Sequence, residues 1–363
     1  MKVRYRNLSV RDPRLKEELL DAVGQVLDHG WLLLGPEHQE FEAAVADYCG
    51  RKHGIGMSSG TDALYFALKA LEIGPGDEVI VTPLSWIATV NAIVLNGGTP
   101  VFVDIDDSLN MNPDLIEAAI TSKTKAVLPV HFTGRMCDME RISAIAAGHD
   151  LHLVEDGAQA FGASIGERMC GSYGILSCFS MNPMKVFNAY GEAGAVLTDD
   201  DDLKARLHSL RYAGTVNKQD CHTPSLNGRL DTVQAAMMLV SLKYLPEKIE
   251  RRRALAAAYY ERLHDVVRCP VEAEGHRSIY YAYSVLTDRR DELMAHLAER
   301  GVESQVQHPL TMADHTAYRG KFRDDIPQAE RLVGQILCLP NQDDLGMDEL
   351  EYVCDCVRDF FGK

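Results

Sequence analysis

The sequence lacks an excess of basic residues. Its 363 residues include 37 Lys and Arg against 53 Asp and Glu, which gives a net charge of −16. Nucleic acids and anionic membrane surfaces are bound by basic faces, so neither is an expected partner. An anionic ligand must instead be held by local features of the fold.

Long apolar runs and paired cysteines are also missing. No run approaches the ~20 apolar residues that a membrane-spanning helix needs, and residues 1–14 are charged, without the apolar stretch of a signal peptide. The nine cysteines are odd in number and contain no CxxC pair, so no zinc, iron–sulfur or other metal site is expected. We therefore expect a cytoplasmic protein with reduced thiols.

What the sequence does contain, from residue 54 onward, is an alternation of short apolar strands and amphipathic helices. Strands are predicted at residues 54–57, 78–82, 101–103, 125–130, 151–155 and 175–179. This alternation predicts an α/β fold in which a mostly parallel sheet is covered by helices on both faces. Two helices, at residues 15–29 and 37–48, are predicted before it.

The length of the chain suggests a second, smaller domain. Pro246 follows a long predicted helix at residues 230–244 and begins another at 247–263. We therefore predict a large domain over residues 1–245 and a small C-terminal α/β domain over residues 246–363. In the small domain we expect strands at 282–286 and 303–307 and helices at 291–300 and 347–361.

Polar residues follow four of the predicted strands. These are residues 59–61, His131, residues 156–159 and residues 180–185. Ligands of such sheets bind at the carboxyl ends of the strands, so these residues are expected to meet at one site.

Lys185 stands out because its neighbours in sequence are uncharged. A lysine removed from water loses its proton more easily and becomes a nucleophile toward carbonyls, although a packed stem with a solvated head is the ordinary alternative. Asp156 ends an apolar strand, so it needs a cationic partner such as a protonated pyridine nitrogen. Its alternative is a helix N-cap.

The segment from Ser58 to Thr61 opens a predicted helix, where free N–H groups and hydroxyls suit a phosphate dianion. An ordinary Ser/Thr cap is equally compatible, and Ser180 could add a further hydroxyl. A phosphate, a protonated pyridine and an aldehyde that reacts with a lysine together describe pyridoxal 5′-phosphate.

Over nearly its whole length the sequence resembles the DegT/DnrJ/StrS-type sugar aminotransferases. The residues that carry the resemblance are 35–37 with 41–42, 59–64, 76–80, 129–131 with Gly134, 155–156 with 158–160 and Gly162, Ser180 with Lys185, 191–194, and Asn227 with Arg229 before 234–236. The resemblance implies the type I, aspartate aminotransferase-like fold. It also implies a homodimer with shared active sites.

The resemblance further implies a role for individual residues. Lys185 is the Schiff-base lysine, Asp156 the partner of the pyridinium nitrogen, and Gln159 a donor to the 3′-oxygen of the cofactor. The remaining implied contacts are Gly60, Thr61 and Ser180 at the phosphate, Trp86 stacked on the ring, Asn227 at the phosphate of the neighbouring subunit, and His131 and His308 at the substrate. For Trp86 the alternative is an aromatic residue of the core. For His131 the alternative is a structural histidine.

The implied reaction moves an amino group from glutamate to a keto- or aldehydo-sugar. Ala193 interrupts the usual Gly-Glu-Gly-Gly pattern, and residues 180–194 look most like the branch that makes 8-amino-3,8-dideoxy-octulosonate for lipopolysaccharide. Alternatives are an aminotransferase for a nucleotide-linked keto-sugar, a sugar dehydratase and a non-catalytic regulator. The acceptor sugar, the position and stereochemistry of the new amine, and the choice between glutamate and glutamine stay open.

Overall fold

The computed structural model describes residues 1–323 and 325–363, which form helices around one large sheet and several small ones. The helices are α1 (Pro13–His29), α2 (Pro36–Tyr48), α3 (Gly60–Ala70), α4 (Ala88–Leu95), α5 (Ile116–Ala119), α6 (Met139–Gly148), α7 (Asp201–Leu210), α8 (Thr232–Leu263), α9 (Arg290–Glu299), α10 (Pro327–Val333) and α11 (Met347–Phe360). The strands are β1 (His53–Met57), β2 (Glu78–Val81), β3 (Thr99–Phe102), β4 (Thr124–Leu128), β5 (His152–Asp156), β6 (Ser164–Ile165), β7 (Arg168–Met169), β8 (Leu176–Ser180), β9 (Gly194–Thr198), β10 (Thr215–Val216), β11 (Asp220–Cys221), β12 (His276–Arg277), β13 (Tyr283–Leu286) and β14 (Ile336–Leu339).

The large sheet has seven strands in the order β1-β9-β8-β5-β4-β2-β3. Strands β8, β5, β4, β2 and β3 pair in parallel, whereas β9 is antiparallel to both of its neighbours. Nearly all positions in these strands are buried, as expected for strands covered on both faces. The predicted α/β fold with a mostly parallel sheet is confirmed.

Strand β9 was not predicted, and it decides how the site is assembled. Because β9 is antiparallel to both β1 and β8, those two strands run in the same direction. Their carboxyl ends therefore lie at the same edge of the sheet, close to each other. A side chain at Gly194, the first residue of β9, would bring its Cβ within 2.3 Å of the Ser59 carbonyl oxygen, so only glycine permits this close approach.

The predicted helix break at Pro246 is wrong. One helix, α8, runs through this position, with Pro246 inside it. Loss of one backbone N–H donor does not end a helix that packs along both α1 and α2. The division of the chain at residue 245 stays a prediction; the smaller of the two main apolar cores gathers the C-terminal part of α8 with β13, β14, α9 and α11.

A further local prediction is corrected by the structure. Residues 303–307 do not form a strand, and only Gln305 makes an isolated bridge, to Cys338. The segment after α7 contains a small hairpin, in which β11 pairs with β10. Helix α1 ends as predicted, with Gly30 in the left-handed conformation. Among the described residues, no helix combines the length and the apolar character needed to cross a membrane.

Candidate active site

A cavity of about 560 Å³ lies at the carboxyl edge of the large sheet. Polar residues from loops that follow several strands line this cavity, as predicted for the carboxyl ends of the strands in such a sheet. Eight of the ten predicted site residues line it: Gly60, Thr61, Trp86, Asp156, Gln159, Ser180, Lys185 and His308. His131 and Asn227 do not.

Asp156, at the end of β5, is the buried carboxylate of this cavity and is only 2% exposed. Its Oδ2 accepts a hydrogen bond from the Thr89 hydroxyl at 2.8 Å, and its Oδ1 accepts one from the Ala158 N–H at 3.1 Å. Burial raises the pKa of Asp156. Both hydrogen bonds come from neutral donors. Among the described residues, no cationic side chain forms an ion pair with the Asp156 carboxylate. A cationic ring nitrogen on a bound ligand would supply the missing partner.

Lys185 lies in a turn that follows β8. Its N–H donates to the Asn182 carbonyl at 2.8 Å, and the Asn182 Oδ1 accepts from the Met184 N–H at 3.0 Å, so the turn is held by its own polar groups. The side chain is half-buried, and Nζ lies 4.6 Å from the ring centre of Tyr281. Lys185 and Asp156 line one cavity, so an aldehyde and a ring nitrogen of the same ligand can be reached together.

The start of α3 forms the expected nest for an anion. The Ser59 hydroxyl caps the helix by accepting from the Asp62 N–H at 3.1 Å. The N–H groups of Gly60 and Thr61 belong to the first turn and so have no acceptor within the helix. A Cβ on Gly60 would lie 2.4 Å from the Ser180 Cβ, so glycine is needed for β8 to approach the helix start. This arrangement fits a phosphate.

Gln159 and Trp86 complete the predicted cofactor set. The Gln159 Oε1 accepts from the Thr133 N–H at 2.9 Å, which leaves its NH₂ group to donate into the cavity. Trp86 is 61% exposed, so the alternative of a core aromatic does not apply. Its broad ring at the cavity is suited to covering a planar aromatic ligand. The residues present therefore fit the phosphate, the ring and the ring nitrogen of pyridoxal phosphate, while the role of each residue stays a prediction.

His308 lies on the side of the cavity formed by the C-terminal part of the chain. Its ring centre is 5.4 Å from that of Phe132. Burial, the charge of Lys185 and nearby His315 lower the pKa of His308 to about 4. At neutral pH it is therefore an uncharged hydrogen-bonding group.

The structure does not place His131 at the substrate side. The ring is fully buried: its Nδ1 accepts from the Cys137 N–H at 3.2 Å, and its Nε2 lies 3.2 Å from the Glu155 carboxylate. Burial raises the pKa of Glu155, but the His131 bond and the surrounding backbone N–H donors outweigh it, and the net direction is downward. Cys170 lies close to this pair, but the Glu155 oxygens are already occupied by N–H and O–H donors. The pair anchors the peptide that carries Asp156, as the structural alternative predicted.

Asn227 is exposed and lies outside the cavity. Its segment runs beside the end of β1, where the Ser58 N–H donates to the Gly228 carbonyl at 2.9 Å. The Asn227 Oδ1 accepts from the Arg229 Nε at 2.8 Å, so the NH₂ group remains available. This exposure is compatible with a contact to a second subunit.

Sequence reasoning missed several residues of the cavity. Thr89, Glu192, Tyr281, Gln305 and Gln307 all line it. Thr89 carried a signal, because it lies three residues after Trp86 at the start of a predicted helix. Tyr281 and the two glutamines come from distant parts of the chain, and no local pattern connects them to Lys185.

Known proteins are similar to this chain over nearly its whole length. A sequence model of the DegT/DnrJ/EryC1/StrS aminotransferase family matches residues 13–358. A pleiotropic regulatory protein of Geobacillus stearothermophilus is 37% identical, over 99% of each chain. A dTDP-3-amino-3,4,6-trideoxy-alpha-D-glucose transaminase of Streptomyces venezuelae is 39% identical, over 99% of this chain and 96% of the relative.

A solved structure gives the same relationship in three dimensions. The S. venezuelae protein DesV, crystallised in complex with a ketimine intermediate, superposes with a TM-score of 0.96. It is 39% identical and the match covers 100% of this chain and 99% of that one. This similarity confirms the aspartate aminotransferase-like fold of type I that the resemblance implied.

Proposed function

The chain belongs to the DegT/DnrJ/EryC1/StrS aminotransferase family, and we propose that it moves an amino group from glutamate to the keto group of a nucleotide-linked sugar. The protein is a sugar aminotransferase that uses pyridoxal phosphate; the proposal concerns its substrates and the roles of its residues. We assign these roles because the half-buried Lys185 and the buried Asp156 line the same cavity.

Pyridoxal phosphate, when bound, supplies an aldehyde that carries the amino group and a ring that accepts electrons from the substrate. Asp156 holds the positive charge at the ring nitrogen. Lys185 binds the aldehyde and, once released, moves a proton at the substrate carbon. The N-terminus of α3 and Ser180 bind the phosphate, and Trp86 covers the ring and keeps water from it.

The choice of sugar follows the relatives. The S. venezuelae transaminase named above is a dTDP-sugar enzyme and matches almost the whole of both chains. This favours a nucleotide-linked keto-sugar over the octulosonate that the motif around Lys185 suggested.

A substrate panel tests the proposal. With glutamate as donor, we expect kcat/KM at least about 100-fold higher for a dTDP- or UDP-linked keto-sugar than for 3-deoxy-octulosonate-type keto acids, because a site built for the nucleotide loses those contacts with a free sugar. The measurement is amine formation followed by mass spectrometry, with glutamine as the alternative donor. Turnover of the sugar acid alone would contradict the proposed substrate.

Glutamate added without any sugar separates this enzyme from a sugar dehydratase. A transaminase converts the bound cofactor to its amine form, and the visible absorbance of the lysine-bound cofactor is lost. A dehydratase leaves that absorbance in place. This half-reaction needs no knowledge of the acceptor, so it tests the reaction class independently of the sugar.

We also propose that the enzyme is a cytoplasmic homodimer in which Asn227 completes the partner's site. Isolated heterodimers of Lys185→Ala and Asn227→Ala subunits test this. If Asn227 acts across the interface, each heterodimer has one intact site, and we expect about half of the wild-type activity per dimer. Inactive heterodimers would instead show that Asn227 serves its own subunit. Both homodimers are the controls, and each is expected to have little activity.

A further inference from the structure

Two cationic side chains share one aromatic ring beside the cofactor cavity. The Lys185 Nζ lies 4.6 Å from the ring centre of Tyr281, and the Arg6 guanidinium carbon lies 5.1 Å from the same centre. Tyr281 is 8% exposed, and its exposed part lines the cavity. Burial raises the pKa of the Tyr281 hydroxyl, but the charges of Lys185 and Arg6 outweigh it, and the net direction is downward.

Arg6 also holds the backbone on both sides of this ring. One guanidinium nitrogen donates to the Met184 carbonyl, and another donates to the Tyr281 carbonyl at 3.4 Å. The Met184 carbonyl belongs to the peptide plane that precedes Lys185, so the bond sets the direction in which the Lys185 side chain leaves the backbone. The N-terminal segment thereby connects the Lys185 turn to residues near the C-terminal core.

We propose that Arg6 and Tyr281 are positioning residues for Lys185. Arg6 fixes the Met184–Lys185 peptide with its planar fork. The Tyr281 ring positions the Lys185 nitrogen by attraction between its positive charge and the ring face. The proposal rests on Lys185 being the residue that binds the cofactor.

The charged and titratable groups around Lys185 come from several elements. Asp156 and Glu192 face the same cavity from the sheet edge, and Tyr281 and His308 face it from the C-terminal part of the chain. Arg6 contributes from the N-terminal segment, and as a cation it opposes a positive charge on Lys185. Both cations lie against the same ring face or edge, so removing either the Arg6 charge or the ring changes the electrostatic surroundings of the Lys185 nitrogen.

The test is the pH midpoint of the visible absorbance of the lysine-bound cofactor. In Arg6→Gln a repelling charge is removed, so we expect the midpoint to rise by about 0.3–1 pH unit. In Tyr281→Leu the attracting ring is removed, so we expect it to fall by about half a unit. Arg6→Lys keeps the charge but loses the fork. It is expected to keep the midpoint while kcat falls about 10-fold.

Two further variants control for damage to the fold. Tyr281→Phe keeps the ring and is expected to keep the midpoint. Arg135 likewise donates to two backbone carbonyls, those of Ser108 and Val271, and it does not line the cavity that Lys185 lines. Arg135→Gln should therefore leave the midpoint unchanged, whatever it does to stability.

Two kinds of measurement distinguish a wrong positioning role for Arg6 and Tyr281 from a wrong assignment of Lys185. Midpoints equal to wild type in Arg6→Gln and Tyr281→Leu, with kcat within about twofold in Arg6→Lys, would overturn the positioning role. Borohydride reduction followed by peptide mapping reports independently where the cofactor is bound. A label on another lysine would overturn the assignment of Lys185 itself.

Discussion

Replacing Lys185 with alanine is expected to abolish the visible absorbance of the lysine-bound cofactor and to lower turnover at least about 10⁴-fold, because the residue supplies both the nucleophile and the group that moves a proton. Cofactor binding should weaken less than turnover. The phosphate nest at the start of α3 and the carboxylate of Asp156 are both retained in this variant. The expected protein therefore still binds pyridoxal phosphate, with the spectrum of a free aldehyde.

The matched control is Lys248→Ala. Lys248 is also half-buried, and it lines a neighbouring cavity that Lys185 borders as well. Burial lowers the pKa of Lys248. Lys248→Ala should keep the absorbance and turnover. If Lys185→Ala kept the lysine-bound absorbance while Lys248→Ala lost it, the assignment of the catalytic lysine would be wrong.

Replacing Asp156 with asparagine should give the second largest loss, of about 10²–10³-fold in kcat. The change removes a charge and little volume, so the ring nitrogen of the cofactor loses its partner in a buried site. Leaving one member of a buried ion pair alone costs about 3–5 kcal/mol, and about 1.4 kcal/mol corresponds to a factor of ten in rate. Asp156→Glu, which keeps the charge, should retain more activity than the asparagine variant.

The pH dependence of cofactor retention follows from the same carboxylate. Burial raises the pKa of Asp156 in the cofactor-free protein, so it takes up a proton at a higher pH than an exposed carboxyl does. The protonated Asp156 therefore stabilises the folded, cofactor-free protein at low pH. This contribution to the free energy of unfolding is lost as the pH rises through the raised pKa. Binding of a cationic ring requires the ionised form, so retention is expected to weaken as the pH falls. Asp156→Asn should lack this dependence.

Asp104 provides the control for the Asp156 variants. It is another buried aspartate that follows a strand of the same sheet, and it is 4% exposed. Its carboxylate accepts N–H donors from Ile105, Gln328 and Ala329, away from the cavity. Asp104→Asn is expected to lower thermal stability and to leave the pH dependence of cofactor retention unchanged. The same loss of pH dependence in both variants would contradict the role given to Asp156.

Much of the site could be predicted because its residues lie next to recognisable local patterns in the sequence. Asp156 and Lys185 each follow an apolar run that is long enough for one strand, and Gly60 and Thr61 open a helix directly after another. The carboxyl ends of parallel strands lie at one edge of a sheet, so these positions alone implied that the residues would meet. Gly30 likewise follows the predicted end of the first helix, and glycine readily adopts the left-handed conformation that ends α1.

The positions that local patterns assigned wrongly or left open depend on contacts between distant segments. His131 follows a strand as Asp156 does, but its ring points into the interior and pairs with Glu155. Pro246 looked like the start of a helix, yet packing against neighbouring helices carries α8 through it. In both cases a local signal was overridden by tertiary packing.

By itself the sequence determined the alternation of strands and helices in the large sheet and the ends of the strands that carry the site. It therefore determined which polar residues lie near one edge of that sheet. These follow from spacing along a few neighbouring residues. Only the tertiary structure decided that β9 is inserted antiparallel between β1 and β8, and that Tyr281 and Arg6 lie against Lys185. The reason is that most of these contacts join segments that are distant along the chain, and their energy depends on surfaces that exist only after the chain has folded.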